Sequence, residues 1–254
     1  MTVFVDVTGH GPNLALLHGW GLNGAVWNGL REELAEHFTL HIIDLPGHGR
    51  SHGAPVSTMD AFVDAIAHAM PVRSHLLGWS LGGHAAMALA HRYPNRIDKL
   101  VTVCATPRFI TSDNWLQGKK PEVLADFAKR LSTNYLATIR NFLALQALNQ
   151  PEMREVIRKL QEAVGAHGAP SVASLAAGLD ILQVSDIRAQ VPAITAPTLV
   201  IQGDHDALTS TGTAQWLADH LPNSTYCLIE HAAHAPFISH REIFLDHLTA
   251  FLTI

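Results

Sequence analysis

The stretch from Ser74 to His84 constrains the fold of this sequence more than any other. It passes from an apolar run through Gly78–Gly82, which reads GWSLG, into an alanine-rich pattern, and so predicts a strand, a tight turn and a helix. The G-x-S-x-G order suits a serine held at a strained backbone position, because a side chain at either glycine would collide with the opposing turn of the chain. Ser80 is therefore a candidate nucleophile.

Apolar runs alternate with helical patterns along much of the chain. Strands are predicted directly before Ser80 and at 3–7, 13–17, 40–43, 100–104, 198–201 and 225–229. Helices are predicted at about 24–37, from an N-cap at Ser57 to about 70, and at 241–252. This alternation predicts the α/β fold class, with a mostly parallel sheet and helices on both faces.

The alternation stops between Pro107 and Ser185. Only helical patterns occur there, near 121–131, 134–148, 151–164 and 170–182. We expect a single domain over 1–254, in which a core of 1–106 and 186–254 carries an all-helical cap of 107–185. The cap is expected to lie over the carboxyl ends of the strands, where ligands bind in such folds.

Composition excludes several function classes. The formal charge is −5, from 17 Lys and Arg against 22 Asp and Glu, and no basic run supports nucleic-acid binding. No stretch reaches the ~18 apolar residues of a membrane span, and the first residues do not have the pattern of an export signal. Cys104 and Cys227 lie in apolar runs, which is typical of buried thiols in a reducing compartment. We therefore expect a cytoplasmic protein.

Two later loops offer partners for Ser80. A serine hydroxyl becomes a strong nucleophile when a histidine removes its proton and a carboxylate orients that histidine. Asp204 and Asp206 follow one predicted strand, and His231 and His234 follow the next, so all lie at the sheet edge that carries Ser80. The order serine, acid, histidine indicates a catalytic triad, with two candidates each for the acid and the base.

Four segments carry a resemblance to a known family. They are 18–23 (HGWGLN), 78–83 (GWSLGG), 142–146 (FLALQ) and 232–240 (AAHAPFISH). Over nearly its whole length the chain resembles the α/β-hydrolases. The four segments are similar to those of the pimeloyl-[acyl-carrier protein] methyl ester esterases of biotin synthesis.

The resemblance implies roles for particular residues. The nucleophile, acid and base fall on Ser80, Asp206 and His234. The family's spacing after Gly203 favours Asp206 over Asp204, and the Ala-Pro-Phe that follows favours His234 over His231. The implied substrate contacts are Trp20, Ser80, Leu81, Phe142, Leu143, Ala144, Leu145, Gln146 and His234.

Trp20 admits two interpretations. It can be a core residue, or its backbone N–H can form an oxyanion hole with that of Leu81. Its position directly after His18 and Gly19, at the end of a strand, favours the oxyanion hole, while the side chain can still pack as a pocket wall.

The predicted cap is the more basic part of an acidic chain. It has nine Lys and Arg against seven Asp and Glu, or +2, which leaves −7 for the remainder. Arg154 and Arg158 share one helix face and match positions at which the resembled family holds an acidic acyl carrier protein. With Arg140 they are candidate docking residues. Local pairing of Arg158 with Glu155 and Glu162 would instead make this a solvated face.

The resemblance implies a serine carboxylesterase that cleaves the methyl ester of a pimeloyl group on acyl carrier protein, through an acyl-enzyme. No metal or diffusible cofactor is expected. The alternatives are a broad carboxylesterase for small, short acyl esters and a ligand receptor that keeps a triad on this fold. Asn141 stands where the family has an arginine, so the docking surface is not fully reproduced.

Overall fold

The structure is a computed structural model that describes residues 2–168 and 170–253, and its centre is a seven-stranded sheet. The strands are β1 (Val5–Gly9), β2 (Asn13–Leu17), β3 (Thr39–Ile43), β4 (Ser74–Trp79), β5 (Ile97–Val103), β6 (Thr198–Gly203) and β7 (Ser224–Ile229). Their order across the sheet is β1-β3-β2-β4-β5-β6-β7. Strand β1 runs antiparallel to β3, and every other pair is parallel. The predicted α/β class is confirmed.

Burial follows the position of each strand in the sheet. The inner strands β2 and β6 contain the buried apolar runs Leu14–Leu17 and Leu199–Ile201, because helices cover both faces of the sheet there. The edge strand β7 alternates instead. Cys227 and Ile229 are buried, whereas Leu228 between them is 42% exposed. The main core therefore lies around the inner strands, beneath the edge where their carboxyl ends meet.

Helices cover both faces of this sheet. The α-helices of the described ranges are α1 (Asn28–Ala35), α2 (Met59–Ala69), α3 (Leu81–Arg92), α4 (Pro121–Thr133), α5 (Tyr135–Leu145), α6 (Met153–Ala166), α7 (Val172–Val184), α8 (Thr211–His220), α9 (Pro236–Ser239) and α10 (Arg241–Thr253). Within the two described ranges, no helix has the length and apolar character that crossing a bilayer requires.

The starts of two helices differ from the prediction. Ser57 is not the N-cap of α2. Thr58 takes that role, because its backbone is extended and its Oγ1 accepts the N–H of Ala61 at 3.4 Å. The predicted helix from 24 begins as a 3₁₀ turn over Gly24–Trp27, which the Asn23 side chain caps. These corrections move boundaries without changing the order of elements.

Two strands and one helix also depart from the pattern. Strand β1 covers Val5–Gly9 rather than 3–7, and β5 begins at Ile97 because the polar pair Asp98 and Lys99 is part of the strand. The sequence does not predict α8. That helix buries only three residues, so its apolar pattern is too sparse to stand out.

The segment between β5 and β6, which we call the insertion, holds α4 to α7 and is attached to the rest of the fold at both ends. Arg108 Nη1 and Asp186 Oδ2 form an ion pair at 2.5 Å. The buried His84 of α3 donates from Nδ1 to the Thr106 carbonyl at 2.7 Å, and its Nε2 accepts from Ser185 Oγ at 2.8 Å. One histidine thus ties the two ends together. The division into core and cap within one domain stays a prediction.

Candidate active site

The turn between β4 and α3 holds Ser80 in a conformation that few residues adopt. Its φ is 57° and its ψ is −119°, and its N–H donates to the Val103 carbonyl at 3.0 Å. A Cβ on Gly78 would lie 2.3 Å from the Gly82 oxygen, and one on Gly82 would lie 2.4 Å from the Leu17 oxygen. The predicted steric need for both glycines is confirmed.

The Asp206 carboxylate is completely buried and surrounded by donors. Its Oδ1 accepts the N–H groups of Leu208 at 2.7 Å and Thr209 at 3.1 Å. Its Oδ2 accepts from Thr209 Oγ1 at 2.6 Å, Gln202 Nε2 at 3.1 Å and His234 Nδ1 at 2.8 Å. Burial alone would raise the pKa of Asp206, but the His234 imidazole and these donors hold it below its ordinary value. Asp206 is therefore an ionised partner for His234.

His234 is 1% exposed and is fixed through its backbone as well as its ring. Its N–H donates to the Gln146 carbonyl at 3.1 Å, and its own carbonyl accepts from Trp79 Nε1 at 2.7 Å. Because Asp206 accepts from Nδ1, the neutral ring has its free lone pair on Nε2. Nε2 is buried and has no hydrogen-bond partner within residues 2–168 and 170–253. A base–nucleophile hydrogen bond often forms only when substrate is bound.

The structure separates the rival acid and base candidates from this pair. Asp204 lies beside His205, with Oδ1 at 4.0 Å from Nε2. His231 is exposed, and its ring centroid lies 5.5 Å from that of His205. The contact between a buried carboxylate and a buried imidazole is made by Asp206 and His234. The geometry therefore supports Asp206 over Asp204 and His234 over His231.

The backbone and the side chain of Trp20 have different surroundings. The N–H groups of Trp20 and Leu81 donate no hydrogen bond within the described ranges. Two unpaired donors of this kind are what an oxyanion hole requires. The Trp20 side chain is 2% exposed and packs edge-on against Phe127 and Phe142, and its Nε1 donates to the Leu175 carbonyl at 2.9 Å. Both interpretations of Trp20 are therefore compatible with the structure.

A cavity of about 390 Å³ opens beside Ser80 between the sheet edge and the helices of the insertion. Its apolar lining is Trp20, Leu81, Phe109, Val123, Leu124, Phe127, Phe142, Leu145, Leu179, Leu182, Ala207 and Leu208. Its polar lining is Ser80, His84, Thr106, Lys119, Arg130 and Thr209. The cavity has the size and the mostly apolar walls of a small-molecule site.

The predicted substrate run 142–146 divides into two groups. Phe142 and Leu145 line the cavity. Leu143, Ala144 and Gln146 are not among its lining residues, and Leu143 and Gln146 are buried at 3% and 1% exposure. Gln146 instead holds the backbone of His234. The helical period explains part of this division, since Phe142 and Leu145 are three residues apart and share one face of α5, whereas Leu143 and Ala144 lie on other faces. Gln146 follows the last residue of the helix as its C-cap.

Several contributors to the site were not predicted from the sequence. Gln202 and Thr209 hold the Asp206 carboxylate, and Gln150 Oε1 accepts the N–H of Ala233 at 3.0 Å, next to His234. Thr209 stands three residues after Asp206, a spacing at which a carboxylate and a hydroxyl can brace one loop. That spacing is the signal that could have identified it.

The predicted docking arginines differ in their surroundings. Arg158 pairs with Glu155, Nη2 to Oε1 at 2.5 Å, and also with Glu162. Arg140 and Arg154 are exposed and form no ion pair within the described part of the chain. The local pairing that the sequence offered as an alternative therefore applies to Arg158.

The chain belongs to the alpha/beta hydrolase fold family, whose model matches residues 12–241. The predicted resemblance is confirmed. Among its relatives, the pimeloyl-[acyl-carrier protein] methyl ester esterase of Nitrosomonas europaea is 38% identical over 96% of this chain and 97% of its own length. The enzymes of the same name from Aeromonas hydrophila and Salmonella newport are 39% and 42% identical, covering 99% and 93% of this chain and 100% and 92% of their own.

Solved structures agree on the fold. An esterase from Exiguobacterium antarcticum superposes with a TM-score of 0.88 at 20% identity, covering 99% of this chain and 96% of its own. A thermophilic esterase from Thermogutta terrifontis, solved with malate bound, gives 0.85 at 27% identity, with 99% and 93% covered.

Proposed function

We propose that this protein is a serine carboxylesterase that hydrolyses the methyl ester of pimeloyl-[acyl-carrier protein] in biotin synthesis. The supporting observation is the combination of a strained Ser80 at a mostly apolar cavity and a buried Asp206–His234 pair, in a chain 38–42% identical to esterases of that name.

The proposed reaction assigns one role to each polar group. Ser80 Oγ attacks the ester carbonyl carbon as His234 Nε2 takes the hydroxyl proton, and Asp206 keeps the ring in the correct tautomer. The N–H groups of Trp20 and Leu81 stabilise the negative oxygen of the tetrahedral intermediate. Collapse of that intermediate breaks the bond to methoxide, which leaves as methanol with the proton from His234.

The second half of the reaction repeats these steps with water. His234 takes a proton from water, and the resulting hydroxide attacks the acyl carbon on Ser80. The acyl–serine bond then breaks, Ser80 recovers its proton from His234, and the product leaves with a free carboxyl group on its pimeloyl chain. Besides the ester and water, this chemistry uses only groups that the chain supplies.

The cavity suits the acyl part of such a substrate. The aromatic walls formed by Trp20, Phe127 and Phe142 favour a methylene chain, because burying each CH₂ stabilises the complex by about 0.8 kcal/mol. The carrier protein itself is acidic, and the exposed Arg140 and Arg154 are proposed to meet it on the insertion. We place this reaction in the cytoplasm, where the free, buried thiols of Cys104 and Cys227 would stay reduced.

The test of this function is removal of the nucleophile. Ser80→Ala should lower hydrolysis of pimeloyl-[acyl-carrier protein] methyl ester by about 10⁶ in kcat, because all acyl transfer passes through that oxygen. Methanol release measures the rate, and near-ultraviolet circular dichroism checks the fold. Substantial activity in a folded Ser80→Ala protein would exclude the mechanism.

The second candidate, a broad carboxylesterase for short acyl esters, is favoured by one observation. Arg158, one of the three predicted docking residues, is already paired with Glu155 and Glu162. Comparison of kcat/KM for the carrier-bound ester with that for a short acyl nitrophenyl ester decides between the two. We expect the carrier-bound ester to have the higher value.

A further inference from the structure

A second group of chemically active side chains lies next to the triad loops without belonging to the triad. Asp204 and His205 follow β6, and His231 follows β7. Each can offer one ligand atom, and the three atoms lie within 4.8 Å of one another. We propose that Asp204, His205 and His231 form a binding site for a divalent transition-metal ion such as Zn²⁺.

The hydrogen bond of His205 prepares its ring to be a ligand. Its Nδ1 lies 2.7 Å from the carbonyl oxygen of Asn149. Since a carbonyl can only accept, Nδ1 has the proton and Nε2 has a free lone pair. Metal-binding histidines typically donate from their other nitrogen to such an oxygen, which fixes both the tautomer and the orientation of the ring.

The Asp204 carboxylate supplies an independent observation. Its Oδ1 atom is buried and has no hydrogen-bond partner within the described ranges, and it lies 4.0 Å from His205 Nε2. A buried carboxylate oxygen without a partner is costly, so buried polar atoms nearly always have one. A cation between Asp204 and His205 would satisfy this oxygen.

The ligand atoms have to close around the ion by a modest movement. A Zn²⁺ ion bonds to nitrogen and oxygen at about 2.0–2.2 Å in a tetrahedron, so neighbouring ligand atoms lie about 3.4 Å apart. The present limit of 4.8 Å therefore has to shrink by up to about 1.4 Å. Because His231 is exposed, rotation of its side chain can bring it closer, and Asp204 Oδ1 and His205 Nε2, now 4.0 Å apart, have to approach each other by about 0.6 Å.

The backbone holds the two loops in register. The N–H groups of Asp204 and His205 donate to the carbonyls of Ile229 and Ala232 at 3.3 and 2.9 Å. A Cβ on Gly203 would lie 2.4 Å from the Ala232 oxygen, so the loops touch through their main chains. The ligands thus come from two segments whose relative position the sheet already fixes.

The ligand set indicates the class of metal. Two imidazoles and one carboxylate suit Zn²⁺, Ni²⁺, Co²⁺ or Cu²⁺, whereas Mg²⁺ and Ca²⁺ prefer oxygen ligands throughout. The ion would connect the loop that carries Asp206 to the loop that carries His234, and so would stabilise the triad without taking part in ester cleavage. Cys104, Asp206 and His234 also converge, but Asp206 and His234 already bond each other at 2.8 Å.

The test compares metal binding by three variants with that by the wild-type protein without an affinity tag. His231→Asn removes a ligand and keeps a residue that tolerates the φ of 61° at this position. Asp204→Asn removes the charge. His220→Asn is the matched control, because exposed His220 also directs Nδ1 at a backbone carbonyl, 2.8 Å away, but lies outside the cluster.

Isothermal titration calorimetry with zinc chloride gives the decisive measurement. We expect the wild type and His220→Asn to bind one Zn²⁺ with equal affinity, and His231→Asn and Asp204→Asn to bind it at least about tenfold more weakly. Saturating Zn²⁺ should raise the Tm of the first two proteins by several degrees, and magnesium chloride should not.

Other outcomes would overturn the proposal. They are no tight Zn²⁺ site in the wild type, unchanged affinity in His231→Asn, or loss of the site in His220→Asn. Ser80→Ala should bind Zn²⁺ as the wild type does. A failed esterase assay and a failed metal titration are therefore separate results.

Discussion

Two charged regions of the molecule differ in their surroundings. One is the sheet edge with Asp206, where the charge is buried, and the other is the face of α6 with Arg158, where the charge is exposed. Asp206 is completely buried and accepts five hydrogen bonds, two of them from the backbone of its own loop. Arg158 is 54% exposed in its side chain and pairs with the carboxylates one turn before and after it. The partners of the buried charge are set by the fold, whereas those of the exposed charge can be exchanged for a binding partner.

The largest expected effect is a loss of kcat on replacing the buried Asp206. Asp206→Asn should lower kcat by about 10⁴, because the amide cannot hold His234 in the tautomer that takes the serine proton. Asp204→Asn, two residues away, should change kcat little, since Asp204 does not contact His234. Hydrolysis of a small ester by both variants is the measurement.

The two variants control for each other, because both replace a carboxylate with an amide in the same loop. A large loss in Asp204→Asn with a small one in Asp206→Asn would transfer the role of the acid to Asp204. Equal large losses would mean that the loop itself had been disturbed, and thermal unfolding of both proteins detects that case.

The sequence predicted the elements that depend on local rules. The turn around Ser80 follows from Gly78 and Gly82, whose spacing imposes one conformation wherever it occurs between a strand and a helix. The same holds for the inner strands, because burial on both faces requires continuous apolar runs. These features need no knowledge of distant contacts.

Features formed by distant segments could not be predicted in the same way. The choice of Asp206 over Asp204 depends on which carboxylate reaches His234, 28 residues later, and the order serine, acid, histidine alone left it open. The cavity walls from α4 and α7, such as Phe127 and Leu179, depend on how the helices of the insertion pack. Helix α8 was not predicted, because few of its residues are buried and its apolar pattern is weak.

A smaller effect is expected at His84, which is buried as Asp206 is, and it concerns how the free energy of unfolding depends on pH. Burial lowers the pKa of His84 from 6.5 to about 4, so the unfolded chain binds its proton first as the pH falls. Stability from this histidine is complete above pH 6.5 and is lost as the pH falls toward 4. At pH 5 the loss is on the order of 2 kcal/mol in the free energy of unfolding.

His84→Gln should remove that part of the acid sensitivity, because a glutamine amide can donate to the Thr106 carbonyl and accept from Ser185 without binding a proton. Urea unfolding at pH 8 and pH 5 measures the difference. His91→Gln, at an exposed position on the same helix, is the control and should leave the difference unchanged. An unaltered pH dependence in His84→Gln would show that His84 is not the source.

The smallest effect is expected at the exposed face of α6, and it should depend on salt. The double change Arg154→Glu with Arg158→Glu should lower kcat/KM for the carrier-bound ester by roughly tenfold at low ionic strength, since it removes the attraction that steers an acidic partner. Because salt screens charges beyond about 10 Å at 0.1 M, the difference should shrink as salt is added. Arg154 should contribute the larger share, as Arg158 is held by Glu155 and Glu162.

Two comparisons give this last measurement its meaning. Hydrolysis of a small free ester should stay near the wild-type rate, because that substrate has no acidic surface. Arg73→Glu, an exposed charge at the amino end of β4 and so at the opposite edge of the sheet from Ser80, should leave both substrates unaffected. Equal loss on both substrates in the double variant would indicate a disturbed insertion. No loss on either would make Arg154 and Arg158 a solvated helix face and would favour the broad carboxylesterase.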